Sequence, residues 1–84
     1  MKIVAAGNTE IPAILALEKK GAQVASGNEV NLWSAKYLNN TYIAESPLEL
    51  LGLIEMHTAR GAEWKATDSE LERCAIQYPG LGLN

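Results

Sequence analysis

The sequence predicts an α+β fold: a two-layer domain in which a mixed sheet of about four strands carries helices on one face, in the chain order β-α-β-β-β-α-α. Three observations predict it. Short apolar or alternating runs, bounded by Gly and Asn, occupy residues 3–5, 22–26, 30–37 and 41–45. Helical spacing with helix-start residues marks three other stretches, beginning near Thr9, Ser46 and Thr67. At 84 residues, the chain has room for one domain of this kind.

The elements follow in order. Ile3, Val4 and Ala5 form an apolar run that Gly7-Asn8 closes, which predicts a short buried first strand. A helix comes next, with Ile11, Ile14, Leu15 and Glu18 at helical spacing. Pro12 falls in its first turn, where a missing N–H is harmless, and Asn8 or Thr9 can cap its free amides. Lys19-Lys20 suits the negative end of the helix dipole, and Gly21 is the natural stop. Residues 22–26 then form a second strand. If it neighbours the first, the two run parallel, joined by a right-handed crossover.

Gly27-Asn28 reads as a turn leading into a hairpin of residues 30–37 and 41–45. Asn39-Asn40 is its expected turn, since both residues tolerate positive φ. That turn sets Tyr37 opposite Tyr42 and Ala35 opposite Ala44. One face then carries Trp33, Ala35, Tyr37, Tyr42 and Ala44, and this aromatic face is the one expected to be buried. The other face carries Leu32, Ser34, Lys36, Ile43 and Glu45.

Ser46-Pro47-Leu48-Glu49 reads as a capping box with Pro at the first helical position, and Gly61 ends that helix. Its apolar surface is broad enough to be buried on more than one side. Gly52 inside it costs about 1 kcal/mol relative to Ala. Thr67-Asp68-Ser69-Glu70 is a second capping box, starting a last helix through Leu71, Cys74 and Ala75 to about Gln77. Residues 1–78 are expected to form the domain, and 79–84 a loose tail rich in breakers.

Composition narrows the function. Seven Lys and Arg against ten Asp and Glu give a net charge of -3, and the basic residues are scattered. This argues against nucleic-acid binding, which draws affinity from clustered cations on phosphates. The longest apolar runs are far shorter than the roughly 20 residues of a membrane span. One cysteine, Cys74, cannot form a disulfide within the chain, which fits a reducing, cytoplasmic setting.

No catalytic or metal-binding constellation is legible. His57 is the only histidine, and no His/Cys cluster has metal spacing. Cys74 fits an amphipathic pattern with Leu71 and Ala75, so packing is its expected role. The speculative ligand site comprises Asn8 and Thr9 at the end of the first strand, with Glu45, His57 and Arg60 from neighbouring elements. Arg60 could alternatively hold Glu45 or Glu49. Trp33, Tyr37 and Tyr42 could stack on a flat ligand, although a buried stripe is the commoner use. No cofactor is implied.

Three segments together resemble a known kind of protein. They are Gly7-Asn8-Thr9 with Pro12-Ala13, Leu17 and Gly21; Trp33 with Ala35; and residues 46–54 with Arg60-Gly61, Trp64 and Thr67-Asp68. The set resembles small uncharacterised bacterial single-domain proteins, including the kind carried on mobile, integron-type gene cassettes. The resemblance implies a bacterial accessory role and brings no activity or site residues with it.

The functional expectation is a non-enzymatic protein-interaction module that forms a homodimer or binds a protein partner. Leu32, Ile43, Leu53 and Trp64 are its speculative interface residues, with folding back as a lid on the core the more favoured reading of Trp64. The alternative is a small-molecule-binding protein or small enzyme with its site at the end of the first strand.

Overall fold

The structure, a computed structural model, describes residues 1–27 and 31–81. Helix α1 spans Glu10–Lys20 and strands β1, β2 and β3 span Gln23–Ser26, Trp33–Tyr37 and Asn40–Ala44. Helix α2 spans Pro47–Arg60, a 3-10 turn covers Gly61–Glu63, and α3 spans Asp68–Gln77. A second 3-10 turn, Pro79–Leu81, follows within the predicted tail, whose remaining residues lie outside the described part.

Among the described residues the sheet has three strands, in spatial order β1-β2-β3, with both pairs antiparallel. This corrects the expected four-stranded mixed sheet. The missing member is the predicted first strand. Residues 1–6 form no regular structure, and Ile3 and Val4 are 88% and 80% exposed. With no such strand there is no parallel βαβ unit. The run has strand-type residues, but among the described residues no neighbour pairs with its backbone, and an unpaired strand has nothing to stabilise it.

The predicted helix signals act as local chemistry dictates. The Asn8 side-chain oxygen accepts from the Glu10 N–H at 3.2 Å, while the Thr9 side chain makes no cap. Gly21 takes φ +103°, and the Ala22 N–H closes back on the Leu17 carbonyl at 2.9 Å, a glycine-ended helix stop. At α2, the Ser46 Oγ accepts from the Glu49 N–H at 3.1 Å. The Glu49 carboxylate reaches the Glu45 N–H rather than that of Ser46.

The β2–β3 hairpin buries its expected face in an unexpected register. Trp33 stands opposite Ala44, and Ala35 opposite Tyr42. The turn is therefore Leu38-Asn39, at φ +48° and +67°, and not Asn39-Asn40. Shifting the register by two residues preserves which side chains share a face, because the pleat has a period of two. The observed register sets Trp33 and Tyr42 each against an alanine and Tyr37 against Asn40, where the predicted one sets Tyr37 against Tyr42. Packing of large against small on the buried face outweighs placing Leu38 in a left-handed conformation, which costs roughly 1–2 kcal/mol. Of the expected Gly27-Asn28 turn and the strand start at Val30, Asn28 and Val30 lie outside the described residues.

Helices α1 and α2 cover that face side by side. Glu10 of α1 accepts from the Leu48 N–H at the start of α2, and Lys20 at the end of α1 meets Glu55 of α2 at 2.8 Å. The two helices thus run in the same direction, linked by the three-stranded meander. The core they enclose is small. Leu17, Leu50 and Ile54 are its fully buried large side chains, packed with Ala22, Ala35, Tyr42 and Ala44. Ala35 and Ala44 leave room for α2 to sit close to the sheet.

Helix α3 is different. Among the described residues its backbone comes close to neither the sheet nor α1 and α2, only to the 3-10 turn that follows it, and a side-chain ion pair from Arg60 to Glu70 ties it to α2. Its cap is complete: Thr67 Oγ1 accepts from the Glu70 N–H at 3.2 Å, and Glu70 Oε1 accepts from the Thr67 N–H at 2.9 Å. Its apolar residues Leu71 and Ile76, with Tyr78 just past its end, are exposed, whereas Cys74 and Ala75 are half-buried.

Candidate functional site

The residues expected to form a ligand site do not come together. Asn8 and Thr9 flank the start of α1 and Glu45 precedes α2, whereas His57 and Arg60 lie in the last turn of α2. A helix of 14 residues spans about 21 Å. Glu45 and Arg60 therefore sit at opposite ends of α2. The strand whose end was to anchor the site is absent from the described residues.

Arg60 holds neither Glu45 nor Glu49. Its guanidinium donates to Glu70 Oε1 at 2.6 Å and ties the start of α3 to the end of α2. That hydrogen bond, with the Thr67 N–H, holds the Glu70 carboxyl down at about 2, well below the usual range for Glu. The same bond to Glu70 raises Arg60 further. Lys20 is likewise raised, chiefly by its hydrogen bond to Glu55, and its ammonium lies 5.3 Å from the centre of the Tyr37 ring.

What the fold does assemble is a cleft of about 390 Å³ along β3. Asn40, Thr41, Tyr42 and Ile43 form one wall, Leu53 and His57 of α2 the floor, and Trp64 and Lys65 the far side. Three of the four expected interface residues, Ile43, Leu53 and Trp64, meet here. Leu32, exposed, lies before β2 and outside the cleft.

His57 is half-buried, and its Nδ1 lies 2.7 Å from the Tyr42 hydroxyl. The rings meet edge to face with centroids 5.5 Å apart. Which group donates follows the imidazole tautomer. The pair is 15 positions apart in sequence, a separation that carries no spacing signal, so only the packing of α2 on β3 reveals it. Tyr42 and Lys65, likewise, were not legible as members of a common site.

Chemically, the cleft is a shelf beside a strand edge. Among the described residues, every buried side-chain nitrogen and oxygen has a hydrogen-bond partner. Among the described residues no three His, Cys, Asp or Glu side chains group as a metal site. Cys74 is a free, half-buried thiol on α3, and His57 pairs with Tyr42 instead. No helix among the described residues is long and apolar enough to cross a membrane. A second cleft, of about 380 Å³, lies at the hairpin tip between Gly21 and Asn40.

Comparison with protein-family models, with curated proteins and with solved structures finds no match.

Proposed function

We propose that this chain is a self-associating interaction module, a homodimer in its working form. The observation that carries this reading is the amount of surface the single chain leaves uncovered. A folded monomer of 9.1 kDa exposes about 4,900 Å². This chain exposes 6845 Å². Two copies therefore carry about 4,000 Å² of surplus, within the roughly 2,000–5,000 Å² that obligate dimers bury.

The radius of gyration agrees. It is 14.9 Å, where a compact chain of this length has about 12 Å. The uncovered area is apolar where it matters: the arm of residues 1–6, the face of α3, and the β3 cleft all present large aliphatic or aromatic side chains. A bacterial accessory role, as in proteins carried on mobile gene cassettes, is part of the same proposal.

Sedimentation equilibrium across the micromolar range tests the proposal. The expected result is a species of twice the chain mass that dissociates on dilution. A single species of one chain mass at every concentration would overturn it.

A further inference from the structure

We propose that residues 2–6 of one copy add as a fourth strand to the outer edge of β3 in a second copy, lying in the β3 cleft. This inference rests on the self-association proposed above and names its surface.

Three observations converge. The first is the arm itself. Lys2-Ile3-Val4-Ala5-Ala6 has strand-forming Ile and Val and no Gly or Pro. Among the described residues its backbone makes no hydrogen bond, and its two largest apolar side chains beyond Met1 stand in solvent. The sequence specifies a strand that its own chain does not pair.

The second is the receiving edge. With the order β1-β2-β3, no described residue pairs with the outer side of β3, whose N–H and C=O groups form a free sheet edge. Four consecutive residues of β3 line the cleft, and Leu53 and Trp64 stand beside it to receive alternate side chains of an added strand. The other cleft described, at the hairpin tip, touches only Gln23 of β1.

The third is area. Two arms exchanged reciprocally cover the arm and the cleft in both copies, with two-fold symmetry. This removes surface from the two places where uncovered apolar side chains adjoin unpaired backbone, and it draws on the surplus that a stable dimer needs to bury.

The test uses the full chain. In a mixture of isotope-labelled and unlabelled copies, NOEs filtered for contacts between copies should connect the Val4 methyls with β3, Leu53 or Trp64. Val4→Pro removes an N–H and disfavours pairing, while Val4 packs on nothing that folding needs. It should weaken self-association about tenfold, with the circular dichroism spectrum unchanged. A dimer that shows none of these contacts and is unaffected by Val4→Pro would overturn the arm proposal and leave self-association standing. A native chain that stays monomeric would overturn both.

Discussion

Glu70 is the residue on which the position of α3 depends, because its carboxylate both completes the cap of α3 and binds Arg60. Its pKa in the folded chain is about 2, against an ordinary 4.5. A depressed carboxyl stabilises the fold above its unfolded pKa, and that contribution is lost as pH falls from about 4.5 through about 2. Hydrogen exchange of the α3 amides should therefore speed up over this window, relative to that of α2. Glu70→Gln should bring fast exchange at neutral pH and flatten the dependence; slow exchange in that variant would contradict the role given to the ion pair. Tyr42→Phe makes a second test. It keeps the ring in the core but leaves His57 Nδ1 without its partner, and should lower stability by about 1 kcal/mol in urea unfolding.

At the scale of elements, local chemistry was legible and pairing was not. Gly21, Ser46-Pro47 and Thr67 with Glu70 end or begin helices as their types require, since a cap needs only neighbours within a turn. The hairpin face was legible too, because a period of two fixes which side chains travel together. Its register was not: the choice between Asn39-Asn40 and Leu38-Asn39 depends on how Trp33 and Tyr42 pack beneath α2, a contact between distant parts of the chain. The first strand failed for a related reason, as propensity in Ile3 and Val4 says nothing of whether a partner edge is in reach. The same dependence separates Asn8 and Thr9 from His57 in space. Two substitutions follow from these elements. Leu38 is exposed at φ +48°, so Leu38→Asn should raise stability by about 1 kcal/mol without loss of packing. A Cβ at Gly52 meets nothing within 4 Å, so Gly52→Ala should also stabilise, by about 1 kcal/mol. Thermal melts would read both, and a lower midpoint for Gly52→Ala would mark that face of α2 as tightly covered in the assembled form.

For the molecule as a whole, the proposed self-association would make stability a property of the assembly, because the core is small and the surface large. A dimer binds only its folded subunits, so its unfolding midpoint should rise with protein concentration. A midpoint independent of concentration would count against self-association. The isolation of α3 has a consequence of another kind. A helix tied to α2 by the Arg60–Glu70 ion pair, with no fully buried side chain among its residues, opens more readily than the global fold. Proteases cut where the backbone opens, and Lys65 stands exposed at the entrance to that helix. Brief digestion with trypsin should therefore cleave after Lys65 first, leaving the sheet, α1 and α2 as a resistant fragment.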